Sequence, residues 1–180
     1  GVSVNASLGQ PYGTIQGKTW GMIDPANPTG TPIPWDGTGG KLVKSNGRYY
    51  QTTTTNNVIG NINPDWIGGI YNTFKYKNLS LGFLIDMRHG GDLFSLDLYY
   101  GSATGILPES VGLNELGNPS RDPVSAGGGV IMPGVLPDGK THDIRVENNF
   151  GTYGYAQNPA AAFIYDASYV KLREANITYS

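Results

Sequence analysis

IYNTFKYKNLSLGFLIDMRHGGDLFSLDLYY, residues 70–100, decides the fold. Within it Leu79, Leu81, Phe83, Ile85 and Met87 alternate with Ser80, Gly82, Leu84, Asp86 and Arg88. A period of two is the spacing of a strand, here with one apolar and one mixed face. Residues 70–76 form a second strand candidate, joined to the first through Lys77-Asn78. After His89-Gly90-Gly91, residues 92–100 alternate again, with Leu93, Ser95, Asp97 and Tyr99 opposing Phe94, Leu96, Leu98 and Tyr100. The three runs predict an up-and-down antiparallel meander.

The flanks are loop-rich over residues 1–58 and 101–160. Pro11, Pro25, Pro28, Pro32 and Pro34 interrupt the first, and PANPTGTPIPWDGTGG, residues 25–40, is its clearest loop. The second carries SAGGG at residues 125–129 and the turn Pro137-Asp138-Gly139, with a short helix expected over residues 108–116. Near the end, Ala160, Phe163, Ala167 and Val170 fit helical spacing while residues 169–179 are rich in strand formers. Val170 and Leu172 share one strand face and Ile177 and Tyr179 fall on the other. A strand there therefore needs a bulge or turn near residues 174–176.

At 180 residues the chain is one domain's worth. Charged residues make up 14%, against about 25% in ordinary soluble domains, while 27 Gly and 12 Tyr favour turns and short strands over helices. Twelve Lys+Arg against 14 Asp+Glu leave a net charge of -2 with no basic stripe, so nucleic acid is not an expected partner. The absence of cysteine excludes disulfides, thiolate metal sites and cysteine nucleophiles. No run approaches the ~20 apolar residues of a spanning helix, but barrel strands need only alternate and escape that test. The first residues lack the order of a signal peptide. Gly1 is not a start methionine, which reads as a processed chain, an engineered one or a piece of something longer.

Gly134-Val-Leu-Pro-Asp-Gly-Lys140-Thr141 fits the phosphate-loop spacing, yet Pro137 lacks an N–H, Asp138 places a carboxylate where an anion must sit, and the residues that follow read as a strand. A hairpin turn is the better reading. Asp86, Asp92 and Asp97 are the carboxylates closest to a hydrolytic pair, but aspartates beside glycine turns ordinarily serve the turns. His89 and His142 stand in no metal-ligand spacing. Neither a catalytic, a metal nor a cofactor residue is assigned. Trp20, Trp35, Tyr49, Tyr50, Tyr153 and Tyr155 lie in loop-like segments, where aromatic faces and hydroxyls suit sugar or peptide ligands, loop packing, or an interfacial girdle. Of these Trp20, Trp35 and Tyr153 are the candidate substrate contacts.

IGNINPDWIGGIYNTFKYKNLSLGFLIDMRHGGDLFS, residues 59–95, resembles a signature of the SusC/RagA group of TonB-dependent outer-membrane transporters. In that family an L/I-G-N-x-x-P-D segment leads into a strand, a Y-K-N turn, an alternating strand and then G-G-D. Here these fall at residues 59–65, 76–78 and 90–92. PGVLPDGKTHD is similar to the family's G-V-x-x-D-G loop, DASYVKLREANITYS at residues 166–180 to its D-A-S-Y-x-K-L-R strand, and LGQPYGTIQGKTW to its G-x-P-x-G-x-x-x-G stretch.

The resemblance implies a late part of a large transmembrane β-barrel over residues 1–180, without the plug domain, the TonB-contacting box or the last strands. A barrel of ~22 strands at ~9–11 residues each needs about 200 residues in strands alone, more than this chain supplies. The fold class expected is thus all-β, antiparallel strands of a barrel with long extracellular loops, odd-numbered side chains of residues 79–87 facing membrane lipid. The function implied is energy-coupled import of oligosaccharides, or peptides in some members, across the outer membrane of a Gram-negative bacterium. No covalent chemistry is implied. Its partners by the same resemblance are TonB and a SusD-like lipoprotein closing over the outer face. Two other readings stand beside it. One is a free-standing soluble all-β carbohydrate-binding module with residues 79–87 in a sandwich core, the other a glycosidase using Asp92 and Asp97.

Overall fold

In a computed structural model that describes residues 1–149 and 152–180, the alternating stretch is the middle of a long three-stranded sheet. In chain order the strands are β1 (Ser3–Asn5), β2 (Thr14–Gly17), β3 (Gly21–Met22), β4 (Ile33–Pro34), β5 (Asn57–Asn61), β6 (Trp66–Tyr76), β7 (Leu79–His89), β8 (Asp92–Phe94), β9 (Val130–Ile131), β10 (Arg145–Val146), β11 (Ile164–Asp166) and β12 (Tyr169–Tyr179). One helix, α1 (Leu96–Thr104), follows β8. Among the described residues every strand ladder is antiparallel, and the only departures from all-β structure are that short helix and short 3₁₀ turns.

β6 and β7 pair without interruption from Tyr76↔Leu79 to Trp66↔His89 around the Lys77-Asn78 turn. Lys77 takes a φ of 50°, the left-handed geometry a tight hairpin demands. The other neighbour of β7 is β12, from Tyr179↔Leu79 to Tyr169↔Arg88. Its register shifts between Leu172 and Glu174, slightly earlier than the sequence expectation, and so corrects the parity of the strand.

Two expectations are overturned. Residues 92–100 are not a third meander strand, because β8 stops at Phe94 and α1 begins two residues later. Ser95 caps the helix, its hydroxyl accepting from Leu98 N at 3.3 Å, with Asp97 in the first turn and Gly105 closing the end at φ 72°. These local signals outweigh an alternation of Leu and Tyr that suits either period. The helix expected over residues 108–116 shrinks to a 3₁₀ turn, Pro108–Ser110, since Val111 is extended and Gly112 takes a φ of 115°. The ambiguous residues 160–180 divide into a 3₁₀ turn, Ala160–Phe163, and the strands β11 and β12.

Trp66, His89 and Tyr169 mark one end of the sheet, so residues 1–65 and 90–168 both attach there, and only Lys77-Asn78 closes the other end. Those two stretches fold together. Leu42 bridges to Val135, Ala161 N donates to Lys18 O at 3.1 Å, and the buried core of Trp20, Val43, Tyr49, Met132 and Val146 takes residues from both. The hydrophobic core therefore sits in the loop body and not in the sheet. β6 and β12 are exposed along nearly their whole length.

Candidate functional site

Register sorts the sheet's side chains into two faces. Leu79, Leu81, Phe83, Ile85 and Met87 lie level with Tyr76, Phe74, Asn72, Ile70 and Gly68 on one side. On the other they meet Tyr179, Ile177, Ala175, Leu172 and Val170. The bulge in β12 makes this face continuous, because it brings even-numbered Val170 and Leu172 level with odd-numbered Ala175, Ile177 and Tyr179. Leu81, Phe74 and Ile177 are 41%, 57% and 74% exposed, values far from those of a core. Aromatic rings stand at both ends: Tyr76 and Tyr179 at the short turn, and Trp66, stacked on His89 with centroids 5.7 Å apart, at the loop end. The opposite face is mixed: Lys75, Ser80, Asp86, Arg88, Lys171, Glu174 and Asn176 share it with Ile67, Tyr71 and Leu84. Arg173 Nε and the Tyr169 hydroxyl both donate to Asp86 Oδ2 there, at 2.7 and 3.0 Å.

The segments that carry the family resemblance meet where the sheet joins the loop body. Asp65 N donates to His89 O at 2.9 Å, and an Arg88 Nη donates to Ile62 O at 2.7 Å. Gly90 N donates to Ser168 Oγ and Ala167 N to Gly91 O, each at 2.8 Å. Asn61 N donates to an Asp92 carboxylate oxygen at 2.8 Å. The N-P-D-W, H-G-G-D and D-A-S-Y segments thus form one junction that fixes three chain passages against one another. Their glycines are structural here: a Cβ on Gly90 would lie 2.5 Å from Asp65 Oδ2, and one on Gly91 2.5 Å from the Arg88 guanidinium.

Trp20 and Trp35 come together, rings edge to face with centroids 5.5 Å apart. Tyr49 packs edge-on against Trp20 at 6.3 Å. The Lys41 ammonium lies 3.5 Å from the Trp20 centroid, 4.9 Å from Trp35 and 5.9 Å from Tyr49, a cation held by ring faces. Burial holds its pKa below the usual lysine value. The Tyr49 hydroxyl is pushed up to about 12, first by burial and then by Tyr153 nearby. Half-buried Tyr153 is itself raised, by burial and then by Glu109. Trp20 thus joins Trp35 and Tyr49 in one aromatic cluster. Trp20 is a core residue whose Nε1 is buried without a hydrogen-bond acceptor, whereas Trp35 is half-buried. A groove of about 330 Å³ runs beside Trp35, lined also by Thr19, Gly37, Val58, Ile59, Gly60 and Ile164.

Sequence reasoning missed Lys41, whose role depends on rings well away from it in the chain. It also missed a second aromatic cluster, in which Tyr99 of α1 stacks on Tyr155 at 5.3 Å and meets Phe163 edge-on at 5.2 Å. Placing Tyr99 on a strand hid that cluster.

The remaining candidates serve local structure. Asp86 belongs to the polar face of the sheet, Asp92 accepts from Asn61 N, and Asp97 sits in the first turn of α1. The G-x-x-x-x-G-K-T stretch is a hairpin turn: Leu136 N donates to Lys140 O, Gly139 takes a φ of 79°, and Val135 bridges to Thr141. His142 is satisfied locally, Nε2 donating to Met132 O at 3.0 Å while Nδ1 accepts from Ile144 N at 3.2 Å. Among the described residues no helix is long and apolar enough to cross a membrane, a test that says nothing of strands.

An antiparallel sheet with one largely apolar and one mixed face, bearing an aromatic-cored loop body at one end, is what fold and site define. The chain matches no protein-family model and no curated protein sequence.

Proposed function

We propose that this chain is part of the wall and outer loops of a TonB-dependent outer-membrane β-barrel that imports oligosaccharides. The observation that carries the reading is the open, largely apolar face that spans three strands of 11 residues, interrupted by Asn72, with aromatic residues at both ends and a mixed face bearing the charges behind it. Lipid is the solvent such a face suits. At a rise of about 3.4 Å per residue and a tilt of about 40°, strands of this length give about 25 Å of height, the thickness of the apolar band of an outer-membrane barrel.

The direction of the strands supports the same reading. β6 and β12 both run from the loop end to the turn end, and each has an unpaired outer edge. Either edge accepts a strand running like β7, as in a meander barrel, where closure leaves no edge open. The wall faces a polar lumen with Asp86, Arg173 and Lys171, and the loop body lies outside. There a SusD-like lipoprotein closes over it, and TonB acts from the opposite side through residues beyond this chain. A soluble sandwich would instead need a second layer over Leu81 and Phe74, both of which are open.

These 180 residues contain no cysteine, so single cysteines are introduced into them, any elsewhere in the protein first being replaced by serine. Placed one at a time over residues 79–88 of the intact protein in native membranes, even-numbered ones react with a membrane-impermeant maleimide and odd-numbered ones do not. Uptake of labelled oligosaccharide by the same cells stops when the proton-motive force is collapsed. Equal labelling at both parities, or recovery of the protein as a monodisperse species without detergent, overturns the reading.

A further inference from the structure

Lys41 carries a positive charge that no acid answers among the described residues. Its ammonium rests 3.5 Å from the Trp20 centroid and 4.9 Å from that of Trp35, and it joins none of the ion pairs, which use Asp65, Asp86, Glu115 and Asp138. Ring faces attract the charge, but an ammonium has three N–H donors, and a charge drawn out of water ordinarily gains a counter-ion or acceptors. Burial alone lowers the Lys41 pKa, with no carboxylate acting against it.

The surrounding sequence repeats the imbalance. No Asp or Glu stands between Asp36 and Asp65, whereas Lys41, Lys44 and Arg48 all do. Asp36 spends its Oδ1 on the Thr38 amide and hydroxyl, at 2.9 and 2.7 Å. Lys41, Lys44 and Arg48 share one hairpin, in which Val43 bridges to Tyr49 and Lys44 N donates to Arg48 O at 2.9 Å. Arg48 donates to the Thr152 hydroxyl and to Glu147 O, at 3.2 and 3.1 Å, and so gains acceptors without a counter-charge. Gly37 and Gly39 lead into Lys41, and a Cβ on either would meet nothing within 4 Å, so the chain just before the lysine stands open.

We infer that the Lys41 ammonium, held over Trp20 and beside Trp35, is the binding point for a carboxylate group of a ligand that reaches the loop body. An acid there turns an unanswered charge into a charge-assisted hydrogen bond in partly dry surroundings, where such a bond is strongest. Lys44 and Arg48 add attraction at longer range. A uronate chain and an acidic peptide both carry the group. The site is defined by the ligand's charge and does not depend on the sheet facing lipid.

The test is calorimetric titration of the intact protein in detergent micelles with tetragalacturonate and tetraglutamate, each beside its uncharged counterpart, the full methyl ester and tetraglutamine. At least one acid binds, about tenfold or more tighter than its counterpart, and which acid it is identifies the source of the carboxylate. Lys41→Met, which keeps an unbranched chain over Trp20, weakens that acid by about tenfold or more in Kd, and Lys41→Arg retains most of the affinity. Lys140, paired with Asp138, is the control: Lys140→Met changes the Kd by less than about twofold. The inference is overturned if neither acid binds, if the uncharged counterparts bind as well as the acids, if Lys41→Met binds as the parent does, or if Lys140→Met loses as much as Lys41→Met. Acid binding with no labelling alternation over residues 79–88 sinks the membrane reading alone. Alternation without acid binding sinks this one alone.

Discussion

Arg173 reaches Asp86 across the polar face of the sheet, Nε to Oδ2 at 2.7 Å, and it is the residue that the β7–β12 register skips. Leu172 stands opposite Ile85 and Glu174 opposite Leu84, so the extra residue shifts the parity of everything after it. Deleting Arg173 removes the extra residue, so Leu172 and Glu174 become neighbours that still face Ile85 and Leu84, and Ala175, Ile177 and Tyr179 stay on the apolar face. Inserting one alanine between Ala175 and Asn176 would instead turn Ile177 and Tyr179 to the opposite face. Each large apolar side chain taken from an apolar surrounding costs about 1.5–3 kcal/mol. On the proposed membrane reading the insertion is therefore expected to lower the membrane-inserted fraction by an order of magnitude or more, whereas the Arg173 deletion, which keeps the faces, leaves most of it. Recovery of each variant from the membrane fraction, with protease resistance as the check on folding, decides this. Equal recovery would show that the parity of β12 does not set the faces.

Adjacent positions on β7 make a sharper test. Phe83 lies on the apolar face, stacked against Phe74 with centroids 6.1 Å apart, and Leu84 lies on the other face opposite Tyr71 and Glu174. A cation near the middle of a lipid-facing strand costs about 2–4 kcal/mol. Phe83→Arg should destabilise the protein by that amount in urea titrations in lipid vesicles, and Leu84→Arg by about 1 kcal/mol or less. A reversed order assigns lipid to the wrong side of the sheet.

What was legible in the sequence follows from how far each structural cause reaches along the chain. Leu79 through Met87 repeat every second residue, and a period is visible without knowing its partners. The conflict between Leu172 and Ile177 was visible too, and only a bulge resolves it. Residues 92–100 show the opposite case, since Phe94, Leu96 and Tyr100 satisfy alternation while the Ser95 cap decides for helix. The loop body was illegible because its strands are two to five residues long and its core joins Val43 to Met132 and Val146. No period survives in such short pieces. Trp20 and Trp35 stood out as loop aromatics, yet their partners, Lys41 and Tyr49, depend on tertiary contacts that no local pattern encodes. The glycines after His89 read as a turn, and their second role, making room for Asp65 and Arg88, appears only in three dimensions.

That second role gives a paired prediction. Gly90 and Gly139 both have positive φ, at 75° and 79°, so alanine at either carries the same backbone penalty, about 1–2 kcal/mol. A Cβ at Gly139 meets nothing within 4 Å, while one at Gly90 lies 2.5 Å from Asp65 Oδ2 and 3.0 Å from Asp65 N. Gly90→Ala must also displace Asp65 and loosen the junction that holds β6 and β7 to the loop body. It is expected to lower the thermal midpoint by several degrees more than Gly139→Ala does. Equal shifts would mean that the junction bears no strain and is not what joins the two parts.

Alkaline titration tests the aromatic core, because two groups in it pull in opposite directions. Burial raises Tyr49 from 10.0 to about 12, so between about pH 10 and 12 the unfolded chain gives up this proton while the folded chain keeps it. Its contribution is complete below about pH 10 and is lost as pH climbs through that window, to the extent of about 1–2 kcal/mol. Tyr153 and Tyr99, also raised by burial, add to the same decline. Lys41 has the other sign: its folded pKa lies below 10.5, so stability rises as pH passes from that depressed value to 10.5 and is flat beyond it. Urea midpoints should therefore climb slightly below about pH 10, where the Lys41 contribution alone changes, and fall as pH rises from there toward 12. Lys41→Met removes the rise, and Tyr49→Phe shallows the fall without abolishing it. Phenolate absorbance followed in parallel shows whether one of the 12 tyrosines ionises well after the exposed ones. If Tyr49→Phe leaves the alkaline slope untouched, Tyr49 is open to water, and the ring contacts that hold Trp20 and, through it, Trp35 are not formed as described.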